Sequence, residues 1–515
     1  MRVHALSFRI LPYALLIAAV FAAYANIYGN LFLYDDEILI VHNPALTGWG
    51  AFLSSVMTPL SFDSSYYRPL QTFLYTIVFQ LAGLSLFSFH LLNVTLHALN
   101  AALVYRLGQK LNFKPVASFL AALLWAVHPL QTEAVTYMSA TADTLYAFFC
   151  LLGAVVLLPD FTPRRIAAAA LLMLLGLFSK ESACVFPLLA ACCLYLQSDK
   201  RFEAKTYIRL WPLVVVVLAY VGLRFALMPP HVAGAANGVP TSFSGGVDYA
   251  PFAALPVYLK LILWPTHLHM EYDLPVYGNI RHAVVLGGMG MILLSVTQVL
   301  CFSRPRNLPL NWGLCWFAAA YLPCIFVEGL FYEHWMYLPL AGLFLGIAQT
   351  AALYIQKIGA AKRKSVYSTA TTISLLAAAV MGILTYQQNE IWREPVAFYT
   401  HIFEQGELAV KPHVNLGVIY AERGDYEKAI AQYQIAIKNS HDTQAMAQAN
   451  LAAALLMLPD RDQHAEEAVA HFQRALEIDP RLYPALEALA AFYDQQGNPA
   501  KAAFYRDQAD KIRNK

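Results

Sequence analysis

The chain has 515 residues, of which 58% are hydrophobic and 13% charged, and its mean hydropathy is +0.48. A typical soluble domain carries about 45–50% apolar and about 25% charged residues, so an ordinary soluble enzyme is excluded. The 35 basic and 33 acidic residues leave a net charge of +2, which gives no footprint for a nucleic-acid partner.

The charge is unevenly spread. From Val396 to Lys515, 28 of 120 residues are charged, against 40 of the preceding 395. This predicts an all-α chain in two parts: a polytopic helical bundle over 1–390 and a soluble helical tail over 396–515. The boundary falls near Glu390–Pro395. Seven cysteines lie in apolar runs without zinc or disulfide spacing and read as small buried hydrophobes.

A helix needs about 20 apolar residues to span a bilayer. Candidate spans are 8–28, 87–108, 115–129, 139–158, 165–179, 182–197, 207–228, 282–302, 312–327, 335–356 and 366–386, eleven in all. The first is too long, and lacks the small-residue cleavage site, for a removable signal peptide; it is expected to stay as an anchor. Basic residues set the orientation. Arg2 and Arg9 lie on the same side as Arg106/Lys110/Lys114, Arg164/Arg165, Lys200/Arg201/Lys205/Arg209, Arg304/Arg306 and Lys357/Lys362/Arg363/Lys364. The opposite loops carry few cations, mainly Arg68, Lys180 and Arg281. The expectation is a multi-pass protein of the inner or plasma membrane with a cytoplasmic N-terminus. Its tail would then be periplasmic, or lumenal in a eukaryote. Two outer loops are long, 29–86 and 229–281. Each contains an apolar stretch, 69–82 and 251–265, expected to lie at the interface, with Tyr66, Tyr67, Tyr249 and Trp264 at headgroup level. The glycine-rich run 233–246 is a candidate lid over the site.

The tail repeats. Asn415-Leu416-Gly417 with Tyr420, Gly424, Ala429, Tyr433 and Ala436 has tetratricopeptide spacing, and Leu489-Ala490 with Tyr493, Gly497 and Ala502 follows it. A middle copy, Asn450-Leu451-Ala452 with Ala468, Phe472, Ala475 and Pro480, needs about four extra residues near Pro459–His464. Three such helix pairs suffice for a solenoid with a concave groove, which suits protein binding.

Chemistry requires charges, and these gather at the outer ends of the spans. The first outer loop opens with Leu33-Tyr34-Asp35-Asp36-Glu37. Paired carboxylates there suit a general base, with a bridging metal also open. Arg68 precedes an apolar stretch, while His128 and Glu133 follow the third span. Asp143 begins the fourth, Lys180-Glu181 fills a short turn, and Glu333-His334 opens the tenth. Ionisable groups at membrane depth are costly and mark functional candidates. Competing structural roles are a turn salt bridge for Lys180–Glu181, a helix cap for His128, and an interhelix seam for His90, Asn93 and His97.

In order, the motifs are Asp35-Asp36, Asn43-Pro44, Trp49, Arg68-Pro69-Leu70, Phe89-His90 with Asn93 and His97, His128-Pro129, Thr132-Glu133-Ala134-Val135, Ala142-Asp143, Ser179-Lys180-Glu181 and Tyr337-Leu338-Pro339. Together with the repeats, this order resembles the TMTC-type family over nearly the whole chain. The resemblance implies a GT-C glycosyltransferase fold. It also implies transfer of mannose from a polyprenyl-phosphate donor to Ser or Thr of proteins, with Asp35 and Asp36 in the catalytic acidic motif. Two departures stand out. Thr141 and the His334 of Glu333-His334 occupy positions where relatives commonly carry Arg. The short tail points to a bacterial relative, with an undecaprenyl carrier and a different sugar as options.

The residues agree with an inverting transfer. Asp35 or Asp36 would take the acceptor proton, and Arg68, Lys180 and His334 would face the departing phosphate. The expected partners are the bilayer, the lipid-linked sugar and an acceptor protein on the repeats. A divalent metal is not expected, with one at Asp35 and Asp36 left open. A transporter and a non-enzymatic scaffold presenting the repeats remain the alternatives.

Overall fold

Proline sets many of the helix starts. Pro69, Pro115 and Pro163 each stand at the first position of a helix, where the missing N–H costs no hydrogen bond and the fixed φ suits the turn. The computed structural model describes residues 2–56, 67–158, 160–198, 203–227, 249–270, 272, 281–302, 304–305, 307–326, 331–405 and 410–513. The candidate lid at 233–246, together with Tyr66, Lys200, Arg201 and Arg306, lies outside these residues.

The described residues form helices and no strand. They divide into two compact units, one within residues 2–394 and one from Pro395 onwards. Seven helices in the first unit are long and apolar enough to cross a membrane: Leu86–Lys110, Met138–Leu157, Ala204–Leu227, Ala283–Cys301, Leu308–Ile325, Glu333–Ile355 and Ala360–Ile391. The other four expected spans fall on shorter helices. The apolar part of the first is Ile10–Ala23. Pro115–Ala126 stops early because His128 caps a new turn at Pro129. Pro163–Ser179 has 17 residues, and Phe186–Gln197 is shortened by the tight turn Glu181–Val185 before it. The expected interfacial stretches are helices at Pro69–Ala82 and Ala250–Leu263.

Close approach in this unit depends on small residues. A methyl added at Gly313 would meet the Gly342 carbonyl oxygen at 2.9 Å, and one at Gly346 would meet that of Pro309 at 2.5 Å. Gly342 itself lies against the buried Trp316, whose indole N–H donates to Leu338 O at 3.0 Å. The expected polar seam is present. His97 contacts Tyr337 Oη at 2.7 Å and Ala126 O at 2.8 Å, while Asn100 donates to Thr144 O at 2.8 Å.

The second unit holds three helix pairs: Val410–Glu422 with Tyr426–Asn439, Ala445–Leu455 with Arg461–Ile478, and Tyr483–Gln495 with Pro499–Arg513. Ala429, Ala468 and Ala502 are fully buried where the paired helices meet, and Tyr433 and Phe472 fill the remaining space. Gly424 and Gly497 turn the first and third pairs at φ +78° and +67°, a region costly for other residues. The extra residues of the middle copy widen its turn. They also lengthen its second helix to 18 residues, against 14 and 15 in its neighbours.

Gly346→Ala should cost about 1–3 kcal/mol, because a backbone carbonyl cannot turn aside as a side chain can. Thermal unfolding in detergent reads this loss; an unchanged midpoint would contradict such tight packing.

Candidate active site

Residues 128–143 thread between the Pro115–Ala126 and Thr141–Leu157 helices as a series of short turns. Their polar groups are buried, and several of them bond outward to other helices. His128 begins the segment. Its Nδ1 accepts from Leu130 N–H at 3.2 Å, so Nε2 carries the proton and donates to Ile262 O at 3.0 Å. With both ring nitrogens bonded to backbone groups, His128 takes the helix-cap role.

Asp36 lies against the far end of this segment. Its Oδ1 accepts from the backbone N–H of Ser139 at 2.7 Å and from the Ser139 hydroxyl. Its Oδ2 accepts from Leu33 N–H at 2.9 Å. The side chain is buried, and burial pushes its pKa from 3.8 to about 7; the Ser139 and Leu33 bonds oppose the shift and the Asp35 charge adds to it. Asp35 is half-buried, and its backbone N–H donates to Tyr137 Oη at 2.9 Å. The residue before the pair, Tyr34, has φ +55°, which is unfavourable for a bulky side chain. The turn is thus fixed at both ends and strained at its start. Both Asp36 oxygens thus accept from the protein, Oδ1 from two donors and Oδ2 from one. Among the described residues no group of three or more His, Cys, Asp or Glu is arranged to hold a metal ion.

Further along the segment, Thr141 donates to Asn93 Oδ1 and to Met138 O at 2.7 Å, and Asn93 donates to Tyr137 O at 3.1 Å. Thr141 therefore joins the polar seam instead of supplying the cation that relatives commonly carry. Asp143 receives Lys180 Nζ at 2.7 Å on both oxygens, and both side chains are nearly buried. The turn salt bridge expected between Lys180 and Glu181 is accordingly replaced. Glu181 faces two guanidinium groups, Arg68 at 3.6 Å and Arg224 at 3.8 Å.

A second carboxylate pair sits at the opposite side of the segment. Glu133 accepts from His334 N–H at 2.9 Å and contacts His334 Nδ1 at 2.7 Å. Glu333 accepts from His269 N–H at 2.8 Å and from Tyr272 Oη at 2.6 Å. Here the residue standing in for the usual Arg still meets a carboxylate.

Asp35, Asp36 and Asp143 are thus joined through 137–143, Lys180 and Glu181 follow from Asp143, and Arg68 closes on Glu181. Glu133, Glu333 and His334 form a separate cluster on the same segment. Sequence reasoning passed over Tyr137, Ser139, Tyr272 and Arg224. Arg224 had a legible signal, as a charge inside the apolar run Trp211–Leu227. The two tyrosines and the serine had none, being ordinary among so many like them.

Residues 410–440 match the tetratricopeptide-repeat family model. A protein O-mannosyl-transferase of Caenorhabditis elegans is 24% identical over 451 residues, covering 82% of this chain and 62% of that protein. The human protein O-mannosyl-transferase TMTC4 is 26% identical over 490 residues, covering 80% and 64%. The chain is thus similar to these O-mannosyl-transferases over about four fifths of its own length. It spans less than two thirds of the length of these two curated relatives. Among solved structures, an apo oligosaccharyltransferase of Archaeoglobus fulgidus is similar at 14% identity, covering 74% of this chain and 56% of its own, with a TM-score of 0.41.

Lys180→Met should destabilise the protein by about 3–5 kcal/mol, because it strands the buried Asp143 carboxylate. Adding Asp143→Leu should restore most of the loss. A single variant as stable as wild type, measured by thermal unfolding in detergent, would mean that the pair is not buried in the folded protein.

Proposed function

We propose that the membrane unit transfers a hexose such as mannose from a polyprenyl-phosphate donor to a protein Ser or Thr hydroxyl. The acceptor docks on the repeats, on the periplasmic or lumenal face. The observation that carries this reading is the acidic pair: Asp36 is buried and bound by three donors, and Asp35 beside it is half-buried on a strained turn. The O-mannosyl-transferase names of the relatives favour the same reading.

In this mechanism the acceptor oxygen attacks the anomeric carbon. The bond from that carbon to the donor phosphate oxygen breaks, and its electron pair leaves with the phosphate. The hydroxyl proton passes to the carboxylate of Asp35. Attack opposite the leaving group inverts the anomeric centre. Asp36 acts as the positioning carboxylate that holds the loop against Ser139, and Arg68 supplies positive charge near the departing phosphate. Lys180, with Asp143, holds the turn that carries Glu181.

Asp35→Asn keeps size but removes the charge, and should lower transfer by about 10²–10⁴-fold. Transfer should also rise with pH through about 7, as Asp36 ionises, and Asp36→Asn should lose that limb. The sign for stability is opposite. A raised folded-state pKa favours the folded protein most below 3.8, and this contribution is lost as the pH rises through about 7. Purified full-length protein, given polyprenyl-phosphate mannose and a panel of related sugars, supplies the assay. Wild-type turnover in Asp35→Asn would rule out the base.

The orientation is also a proposal. Seventeen basic residues mark the cytoplasmic side. Cysteines introduced as Trp49→Cys and Gly424→Cys should both react with an impermeant reagent from outside, and Lys362→Cys should not. Reaction of Trp49→Cys and Gly424→Cys from opposite sides would defeat the eleven-span topology.

A further inference from the structure

Glu181 is poorly served for a carboxylate between two arginines. Its Oε1 lies 3.6 Å from Arg68 Nη2 and its Oε2 lies 3.8 Å from Arg224 Nη1, both beyond hydrogen-bond length. Oε2 is itself shielded from solvent and accepts no hydrogen bond among the described residues. The arginine side chains are more buried than the anion between them: those of Arg68 and Arg224 are 11% and 27% exposed, and that of Glu181 is 39% exposed. Arg68 is fixed by Pro69, which restricts its backbone and opens the next helix.

One helical turn before Arg224 stands Tyr220. It is 3% exposed, and its hydroxyl points to the Arg224 side chain. That hydroxyl lies within electrostatic reach of both Glu181 and Arg224. Phe178 packs edge-on against Tyr220 at 6.0 Å and against Tyr67 at 6.5 Å, forming an aromatic wall beside the charges. Two arginines, a buried hydroxyl beside one of them and a carboxylate beyond hydrogen-bond length of both guanidiniums converge here on one anion position.

We propose that Arg68, Arg224 and Tyr220 cradle the phosphate of the polyprenyl carrier, and that Glu181 is the resident anion which this phosphate displaces. This rests on the lipid-linked donor reading given above. A carboxylate offers two oxygens in one plane. The phosphate monoester left after transfer offers three in a tetrahedron, enough for both guanidiniums and the hydroxyl at once. The donor itself, a phosphodiester, has two non-bridging oxygens and one negative charge. The cradle therefore matches the leaving phosphate better than the intact donor, which is the direction catalysis requires. When the phosphate departs with its lipid, Glu181 returns and neutralises the arginines.

The test uses full-length protein in detergent and undecaprenyl phosphate as the probe. Arg224→Gln should weaken its binding at least about tenfold and Tyr220→Phe by about threefold to tenfold, each removing a donor to a charged oxygen. Glu181→Gln should tighten binding by about threefold or more, because it removes the competing charge. Thermal unfolding verifies that each variant is folded. Weaker or unchanged binding in folded Glu181→Gln overturns the displaced-anion role, and wild-type binding in Arg224→Gln overturns the cradle. Undecaprenol, which lacks the phosphate, should not compete; inorganic phosphate should compete only at far higher concentration. Equal competition by inorganic phosphate would overturn the assignment to a lipid carrier. Failure of the wild-type protein to bind undecaprenyl phosphate at all would overturn the donor reading itself, a result distinct from a variant that binds like wild type.

Discussion

A polar backbone segment inside a helical bundle must find its hydrogen bonds within the protein, because lipid supplies none. Residues 128–143 impose this demand on everything around them. His128 reaches Ile262, Glu133 reaches His334, and Thr136 reaches Asn389. Met138 O receives Tyr75, Ser139 O receives Gln71, and the Ser139 N–H and hydroxyl are taken by Asp36. Helices distant in sequence are brought to the same place because each completes part of one account of donors and acceptors. The acidic loop is positioned by the same requirement. Asp36 is held there because Ser139 needs an acceptor as much as Asp36 needs donors.

The ionisable groups then separate by how completely each is paired. Lys180 and Asp143 meet on both oxygens and are nearly buried, an arrangement that fixes a turn. Arg68, Arg224 and Glu181 meet at longer distances with more exposure, an arrangement that can exchange partners. Asp36 and Asp35 divide in the same way, one bound on both oxygens and one half-buried beside it. Tightly satisfied groups hold the scaffold, and the others keep room to change partners. This contrast explains why three cations that look alike in sequence are assigned different work.

Much of the architecture was legible because apolar length and charge asymmetry are strong one-dimensional signals. The apolar helices, seven of them long enough to cross a membrane among the described residues, and the three helix pairs with Ala429, Ala468 and Ala502 at their contacts follow from hydropathy and spacing. Partnerships were less legible. Lys180 stands next to Glu181 in sequence yet turns to Asp143, because the extended backbone at Lys180 sends neighbouring side chains in different directions. His128 looked like a site residue because a histidine beside a proline at a span end is rare. Only the bonds on both ring nitrogens identify it as a cap. Ser139 could not be singled out from sequence, since what distinguishes it is a contact with a loop 103 residues earlier.

That separation bears on how the protein is made. Asp36 waits for Ser139, and the start of its loop waits longer still: Asn30 donates to the carbonyl of Asn389, 359 positions later, and Thr136 to the side chain of the same asparagine, 253 positions later. Asn389 also donates back to Ala23 and Asn26. During synthesis the loop emerges early but cannot be clamped until the Ala360–Ile391 helix has been inserted. Assembly of the acidic turn is thereby coupled to completion of the membrane unit. A chain stalled or truncated before Asn389 lacks the contacts that secure the start of the loop carrying Asp35 and Asp36.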